Sequence, residues 1–316
     1  RVVSEHLSLA GTAVNCAGGA TSWGSWLSCE EIFADAGKPH GYIFEVPAHA
    51  KTLVEPTPLK ALGRFRHEAA AVDPRTGIVY LTEDRDDGLF YRLLPKRKGQ
   101  RVAGGRLQAL AFADSDRGRD ARNWGKDLPF ASGAWRKTRW IDIEGADSAT
   151  DDLRGRGHQA GAVRFARGEG IHWGKGELYF TSTSGGAKQI GQIFRYVPSP
   201  QEGRPGETDD PGILQNFLES HDPLLLDFGD NLTVSPRGHL IVCEDKYEDV
   251  HINHLKMITP QGKVFTLARN ADSASGEFAG VCHSPDGKTM FVNIYEPGYT
   301  IAITGPWDRF DETVIA

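Results

Sequence analysis

The sequence predicts an all-β fold, and within that class a six-bladed β-propeller. Three observations lead to this prediction: similar apolar segments recur along the chain, Gly- and Pro-containing turns bound them, and helical periodicity appears over no convincing length. Short runs rich in Val, Ile, Tyr, Phe and Thr between turn residues are typical of strands. A chain of 316 residues with 39% hydrophobic residues can bury a large core, and all-β folds of this length occur as one domain.

The recurring segments each hold a short apolar strand, and three of them end in two acidic residues. They are Trp26–Glu31, Gly77–Asp84, Glu177–Thr183, His239–Asp245 and Thr289–Ile294. Their starts are separated by about 51, 100, 62 and 50 residues, and a period of this size is typical of propeller blades. Because the longest separation is close to two periods, we expect Arg106–Ile143 to supply the missing blade.

Tight turns precede three of these segments, at Asp73–Gly77, Ser235–Gly238 and Ser284–Gly287. Proline presets φ for such a turn and glycine supplies a positive φ, so the turns predict hairpin connections. A second strand-like run follows four of the segments, at Gly41–Pro47, Gly88–Pro95, Gln192–Pro198 and His254–Pro260.

We expect residues 1–316 to form a single propeller domain with surface-loop excursions near 114–133 and 199–211. Both stretches are polar and rich in turn residues, which is typical of loops. A β-sandwich, or two small β domains, is the alternative fold.

Composition excludes several classes of protein. The net charge of −6 argues against nucleic acid as the main partner, because binding phosphates needs a clustered basic surface. The longest apolar runs, such as Leu224–Leu226, are far too short to span a membrane. Four cysteines do not make a disulfide framework in a chain of this length. The sequence starts at Arg1, without Met and without an apolar export segment. We expect either that a leader was removed or that the start was trimmed, so the cellular location is not readable from it directly.

Acidic doublets at the ends of three strands are the main chemical signal: Glu30-Glu31, Glu83-Asp84 and Glu244-Asp245. Propeller strands bring such ends together at the mouth of the channel, where converging carboxylates repel one another unless cations neutralise them. The doublets therefore indicate a site for several metal ions. The alternative is that they are solvated turn residues.

Further polar residues are embedded in or beside apolar runs. Glu68 directly precedes Ala69–Val72, Asp230 and Glu277 each lie just before a strand-like run, and Arg167 and Glu169 are two apart. At period two, Arg167 and Glu169 would point to the same face of an extended segment. With the doublets, these residues put an oxygen-rich position in nearly every repeat.

Cys29 is the softest candidate ligand, and two glutamates follow it. A thiolate with carboxylates suits iron better than calcium, which takes hard oxygen ligands. Cys243 and Cys282 lie inside apolar runs and are expected to be core thiols, whereas Cys16 is undecided. The sequence contains no G-x-S-x-G, Walker or H-E-x-x-H motif.

The ordered motifs of the chain resemble the PhoX family of alkaline phosphatases. They are Asn15–Gly19, Trp23–Glu31, Gly63–Glu68, Asp230–Leu232 and Glu277–Ile294. The resemblance runs over essentially the whole chain and is greatest to the shorter members of that family. Ser22 and Tyr295-Glu296 depart from the usual pattern, and the added acid bears on the number of cations held.

The resemblance implies a six-bladed propeller with ferric iron and calcium at the mouth of its channel. It implies that Arg167 contacts the phosphoryl group. The metal ligands that it implies are Cys29, Glu30, Glu68, Glu169, Asp230 and Glu277.

The function implied by the resemblance is hydrolysis of phosphate monoesters by a monomer that is periplasmic or secreted. Its partner would be a small-molecule phosphate ester, with no nucleic acid as main partner and no membrane. Cations would polarise the phosphoryl oxygens, so that no protein nucleophile is required. Two other functions remain open: a calcium-dependent lactonase, and a non-catalytic binding propeller that holds structural calcium.

Overall fold

The computed structural model describes residues 4–97, 104–115, 120–125, 130–246, 252–271 and 276–309. These residues form two compact units. Unit 1 lies within Arg1–Ala121, Arg136–Gly168 and Val197–Leu214, and unit 2 within Arg122–Trp135, Glu169–Tyr196 and Gln215–Ala316. Regular structure in the described ranges is nearly all strand, with one α-helix, so the predicted all-β class is confirmed. That the whole chain is one domain stays a prediction.

Unit 1 is built of antiparallel strands joined mostly by short connections. In chain order they are β1 (Asn15–Ala20), β2 (Ser25–Glu30), β3 (Ile43–Pro47), β4 (His67–Val72), β5 (Val79–Glu83), β6 (Gly88–Leu89), β7 (Tyr91–Pro95), β8 (Gly105–Phe112), β9 (Trp135–Asp142) and β10 (Arg164–Phe165). One sheet has the order β1-β2-β3, another has β4-β5-β7-β8-β9, and β6 pairs with β10. Helix α1 (Leu153–Gln159) and 3₁₀ turns at Lys60–Leu62 and Pro205–Thr208 complete the unit.

Unit 2 consists of three meandering sheets. Its strands are β11 (Gly168–Trp173), β12 (Leu178–Ser182), β13 (Gln192–Val197), β14 (Ile213–Glu219), β15 (Gly229–Val234), β16 (Leu240–Glu244), β17 (His254–Ile258), β18 (Val264–Arg269), β19 (Phe278–His283), β20 (Thr289–Ile294) and β21 (Tyr299–Thr304). The sheets are β11-β12-β13-β14, β15-β16-β17-β18 and β19-β20-β21, in sequence order. A 3₁₀ turn at Trp307–Arg309 follows the last strand.

The three predicted hairpin turns are confirmed. They join β4 to β5, β15 to β16 and β19 to β20. Gly77, Gly238 and Gly287 close these turns with φ of 75°, 92° and 69°, a backbone region that glycine enters without steric cost. The apolar faces of the strands pack into the core of each unit: Leu27, Ile43 and Val79 are fully buried in unit 1.

The first acid of each doublet ties strands together inside the protein. Glu30, at the end of β2, has 0% exposure and accepts hydrogen bonds from Ala13 N, Gly41 N, Tyr42 N and His40 Nδ1 at 2.7–3.1 Å. Both of its oxygens are therefore engaged by the protein itself. The metal-ligand role that the resemblance implies for Glu30 does not fit this arrangement, because Ala13 N and His40 Nδ1 occupy Oε1 while Gly41 N and Tyr42 N occupy Oε2.

Glu83 and Glu244 occupy the same position at the ends of β5 and β16. Glu244 accepts from Asp227 N and from both N and Nδ1 of His254, at 2.8–3.0 Å. Glu83 accepts from Leu89 N at 3.1 Å and from Tyr91 Oη at 2.9 Å. The first members of the doublets are thus structural, because a buried carboxylate needs such donors.

The stretch predicted as a surface loop near 199–211 is anchored by a buried ion pair. Arg92, 1% exposed, donates from Nη1 to Glu202 Oε1 at 2.5 Å and also bonds Glu207. Tyr80 Oη donates to the same Glu202 oxygen at 3.0 Å. Part of the other predicted loop, 116–119 and 126–129, lies outside the described residues, and within its described part Asn123 and Phe130 are buried.

No helix in the described part of the chain is long and apolar enough to cross a membrane.

We expect Glu202→Gln to lower the free energy of unfolding by about 2 kcal/mol, because the buried Arg92 then keeps only Glu207 as an ionised partner. The measurement is urea denaturation at pH 7.5. The matched control is Asp114→Asn, which breaks the exposed pair with Arg136 and should cost less than about 1 kcal/mol. Equal losses in the two variants would contradict the anchoring role.

A pH effect on stability is expected from Glu83. Burial raises the pKa of its carboxyl from 4.5 to about 7, against the opposing effect of Arg154. The folded protein therefore binds more protons than the unfolded chain between these values, so the free energy of unfolding falls as the pH rises through this window.

The Glu83→Gln variant isolates this effect, because glutamine does not titrate. Between pH 5 and pH 8, wild type should lose about 2 kcal/mol relative to the variant. Denaturant melts of both proteins at the two pH values measure the difference. A stability difference between them that does not change with pH would contradict the raised pKa.

Candidate active site

Irregular pairing marks the start of three strands that carry candidate ligands. The register of β1 with β2 shifts between Asn15 and Gly18, that of β4 with β5 between His67 and Ala70, and that of β15 with β16 between Gly229 and Leu232. The candidate ligands at these shifts are Cys16, Glu68 and Asp230. A β-bulge bends a strand and re-aims its side chains, and bulges are common beside active sites.

Glycine allows these strands to approach their neighbours closely. A Cβ added to Gly19 on β1 would lie 1.8 Å from the carbonyl oxygen of Ala70 on β4, within unit 1. In unit 2, a Cβ on Gly170 of β11 would lie 2.8 Å from Asp230 O on β15. Because both distances are shorter than any real Cβ contact, only glycine fits, and the close approach brings Cys16 near Glu68 and Glu169 near Asp230.

The second acid of each doublet lies on the other side of its strand end from the first. Its backbone N–H bonds the residue just before the bulged strand: Glu31 N donates to Val14 O at 2.8 Å, Asp84 N to Arg66 O at 3.3 Å, and Asp245 N to Phe228 O at 3.0 Å. Successive residues of a strand point to opposite faces, so one acid of each pair is structural and the next is delivered to the candidate site.

The first cluster, which we name the thiolate–carboxylate centre, consists of Cys16, Glu31 and Glu68 in unit 1. One ligand atom from each lies within 4.8 Å of the others. Cys16 Sγ donates to Glu68 Oε1 at 3.4 Å. Glu68 is buried, Glu31 is partly buried and Cys16 is exposed, so the cluster opens to solvent on one side.

The second cluster, which we name the carboxylate centre, lies in unit 2. Asp230, Asp245 and Glu277 each place an oxygen within 4.8 Å of the others, and Glu169 and Asp230 do the same. Glu169 and Asp245 are buried, whereas Asp230 and Glu277 are partly buried. Ionised carboxylates this close repel one another, so the cluster is suited to holding a cation.

Cys29 differs from its expected place. Its side chain has 0% exposure and packs in the apolar core with Leu27, Ile43 and Val72. Burial raises the pKa of its thiol well above the ordinary value, with Glu68 adding to the effect. It lies in none of the described clusters, and the thiol brought to carboxylates is that of Cys16.

The other two cysteines divide between core and surface. Cys243 is buried, as expected. Cys282, also expected in the core, is exposed, because β19 carries a register shift between Ala279 and Cys282 that re-aims it.

Arg167 lies beside a carboxylate that sequence reasoning did not pair it with. Its Nε donates to Asp84 Oδ1 at 2.8 Å, and 28% of its side chain is exposed. Glu169, predicted to share its face, belongs to the carboxylate centre in unit 2. Arg66 Nη2 lies 3.4 Å from Asp84 Oδ2 and donates to Glu31 Oε1 at 2.6 Å.

The charges around Asp84 affect two carboxyl groups in opposite directions. Burial raises the pKa of Glu31 above its ordinary value, and the neighbouring Asp84 adds to the increase. Burial alone would also raise the pKa of Asp84, but the guanidinium of Arg167 holds it below its ordinary value. Asp84 is therefore the carboxylate that stays ionised between the two arginines.

Several residues at these centres were not among the predicted ligands: Cys16, Glu31, Arg66, Asp84 and Asp245. The signal for three of them was the doublet itself, since period two allows only one acid of each pair to reach the centre. Arg66 lies inside the Gly63–Glu68 motif, but no sequence signal gave it a role, because that role depends on the contact with Asp84.

A cavity of about 780 Å³ in unit 2 holds none of the candidate ligands. It is lined in part by Ser235, His239, His283 and Trp307, near the turns at the far ends of β15 and β19. The centres described above are therefore identified by their side-chain chemistry and not by cavity size.

Comparison with solved structures gives the fold. Pseudomonas fluorescens PhoX in complex with vanadate, a transition state analogue, is 19% identical, with a TM-score of 0.66 over 93% of this chain and 70% of that chain. The shared fold is that of a β-propeller, and the number of six blades stays a prediction.

Two further structures are more distant. Kuenenia stuttgartiensis hydrazine synthase is 11% identical with a TM-score of 0.45, covering 96% of this chain and 80% of that one. XC5397 from Xanthomonas campestris, a gluconolactonase, is 11% identical with a TM-score of 0.35, covering 90% and 80%. The chain has no significant match among curated proteins.

The family comparison covers nearly the whole sequence. The family described as alkaline phosphatase PhoX matches residues 2–298, which include every member of both centres and both arginines. The resemblance seen in the sequence motifs is confirmed. The chain belongs to the PhoX family of alkaline phosphatases, which are metal-dependent phosphoric monoester hydrolases.

Proposed function

We propose that this chain hydrolyses phosphate monoesters with iron at the thiolate–carboxylate centre, calcium at the carboxylate centre and Arg167 at the phosphoryl group. The observation that carries the proposal is the gathering of a thiol and carboxylates beside a partly exposed guanidinium, in a chain of the PhoX family. Family membership also favours a phosphatase over the lactonase and the binding propeller.

The donor set of the thiolate–carboxylate centre fits iron. Cys16 is exposed, so its thiol can lose a proton and act as a ligand, and Glu31 and Glu68 supply carboxylate oxygens. A mixed sulfur and oxygen set favours a transition metal over calcium. We assign the iron-bound thiolate to Cys16 and leave Cys29 in the core, because Cys16 lies with Glu31 and Glu68 while Cys29 packs among apolar side chains.

The donor set of the carboxylate centre fits calcium. Glu169, Asp230, Asp245 and Glu277 offer only oxygen ligands, which are the ligands that calcium takes. Four carboxylates also exceed the charge of one divalent ion, so the centre has capacity for more than one cation.

Arg167 lies in unit 1 with the thiolate–carboxylate centre and supplies a positive charge that the carboxylate and thiolate ligands do not. Arg167 is held through Nε by Asp84 while part of its side chain is exposed, so its guanidinium can donate to phosphoryl oxygens. Its charge counts most where negative charge spreads over these oxygens in the transition state. Iron held by the thiolate–carboxylate centre would supply Lewis-acid polarisation of the phosphoryl group.

The substrate that fits these groups is a small-molecule phosphate ester. On the resemblance to the family, we also propose that the protein acts as a monomer in the periplasm or outside the cell. Sedimentation of the metal-loaded protein and fractionation of cells producing the full-length chain test these two points.

The thiolate assignment makes a prediction about metal content. Cys16→Ser should lose iron and any thiolate–iron absorption band, because it removes the sulfur ligand. Cys29→Ser should keep both and lose only stability, by roughly 1–3 kcal/mol for a hydroxyl in an apolar site. Elemental analysis, the visible spectrum and urea denaturation are the measurements.

Two results would contradict this assignment. Loss of iron in Cys29→Ser but not in Cys16→Ser would return the ligand to Cys29. Calcium without iron in wild type, after production in iron-rich medium, would remove iron from the proposal.

The role of Arg167 makes a prediction about turnover. Arg167→Ala should reduce kcat for phosphate monoesters by roughly 10²–10³, because electrostatic stabilisation of the transition state is lost. Arg167→Lys restores the charge without the bidentate fork and should recover part of the rate. Metal content should not change, because a guanidinium is not a metal ligand.

The control is chelation, which should abolish activity in wild type. If Arg167 is only a structural partner of Asp84, Arg167→Ala will lower thermal stability and leave turnover per folded molecule unchanged. No activity of metal-replete wild type on a panel of monoesters would overturn the phosphatase proposal.

A further inference from the structure

Asp84 lies between two guanidinium groups in unit 1. Its Oδ1 accepts from Arg167 Nε at 2.8 Å, and its Oδ2 lies 3.4 Å from Arg66 Nη2 and 3.5 Å from Arg167 Nη2. One carboxylate therefore contacts both arginines. Two guanidinium groups this close would repel each other, and the negative charge between them offsets that repulsion.

The Asp84 side chain is much less exposed than those of its two arginine partners. Only 4% of the Asp84 side chain is exposed, against 35% for Arg66 and 28% for Arg167. The acid is buried while each base keeps a part of its side chain at the surface. This is the arrangement expected of a support that holds cationic groups toward a ligand.

The backbone at Asp84 holds the same two arginines. Asp84 N donates to Arg66 O at 3.3 Å, and Arg167 N donates to Arg85 O at 2.9 Å. Arg167 has a φ of 51°, in the left-handed region that costs free energy for a non-glycine residue. Strain of this kind persists where the surroundings hold it and is frequent at ligand clamps.

Arg66 also connects this arrangement to the thiolate–carboxylate centre. Its Nη2 donates to Glu31 Oε1 at 2.6 Å and its Nε to Glu31 O at 3.2 Å. The guanidinium thus lies beside a proposed metal ligand, where a phosphoryl group would be held.

We propose that Asp84 is a positioning residue that aligns Arg66 and Arg167 as two arms of one phosphate clamp, with Arg66 as a further substrate-contacting residue. The proposal rests on the proposed phosphatase function for its substrate. Each arm donates hydrogen bonds to phosphoryl oxygens, and the shared acid fixes their separation and orientation. Loss of the acid should therefore weaken both arms together.

The test uses metal-loaded protein and inorganic phosphate as the probe. Calorimetry measures phosphate affinity without any turnover, and steady-state kinetics on a phosphate monoester gives kcat and KM. The variants are Asp84→Asn, Arg66→Ala, Arg167→Ala and the double variant Asp84→Asn with Arg167→Ala. The matched control is Glu177→Gln, which removes the acid from another arginine, Arg195, bound through Nε and Nη2.

We expect Asp84→Asn and Arg66→Ala each to weaken phosphate binding at least tenfold with metal content unchanged, and Glu177→Gln to bind like wild type. The fold-loss of phosphate affinity in the double variant should be smaller than the product of the two single fold-losses, because both changes disable the Arg167 arm. A purely structural role for Asp84 would not produce this non-additivity.

Wild-type phosphate affinity in Asp84→Asn or in Arg66→Ala, or fully multiplicative losses in the double variant, would overturn the clamp. If Asp84→Asn does not fold, Arg66→Ala decides: a tenfold loss supports the proposal and wild-type affinity overturns it. If Asp84→Asn weakens phosphate binding but wild type hydrolyses no monoester, the phosphatase proposal fails and the clamp stands. If wild type hydrolyses monoesters and Asp84→Asn binds phosphate as tightly as wild type, the clamp fails and the phosphatase proposal stands.

Discussion

The acidic doublets connect the fold to the chemistry, because each one divides its two charges between the interior and the candidate site. Glu30 and Glu244 are fully engaged by backbone and histidine donors, which offset the cost of burying an ionised carboxylate. The neighbouring acids, Glu31 and Asp245, are then held at the start of the next segment, where they meet other carboxylates. Without the first acid, the segment that carries the second would lose its anchor.

Two further devices bring ligands from different strands together. Bulges near the starts of β1, β4 and β15 re-aim Cys16, Glu68 and Asp230. Glycines on β1 and β11 let each strand approach its neighbour more closely than a Cβ would permit. Both features depart from regular strand geometry and thereby place a side chain where it is needed. A metal centre requires such placement, because its ligand atoms must converge within a few ångströms.

The all-β class, the three hairpin turns, the family and the positions of the acidic doublets at strand ends could be predicted from the sequence. These follow from local signals: strand-forming residues, Gly and Pro in turns, and motifs in fixed order. It could not say which acid of a doublet faces the centre, because that depends on where each strand begins and on the bulge opposite. The sequence could not choose between Cys29 and Cys16 for the same reason: only tertiary packing distinguishes a buried thiol on β2 from an exposed one on β1.

The alternation within the doublets has a consequence for how the chain can vary in length. Deleting one residue inside β16 would rotate the strand end by half a period, turning Glu244 toward the carboxylate centre and Asp245 into the core. The core would then hold an acid too short for the donors at His254 and Asp227, and the centre would gain one too long. A one-residue deletion in the turn at Ser235–Gly238 would leave the side chains of β15 and β16 on the same faces of the sheet. Divergence in length among relatives of this protein should therefore collect at the hairpin turns, while the acid-bearing strand ends change by substitution alone.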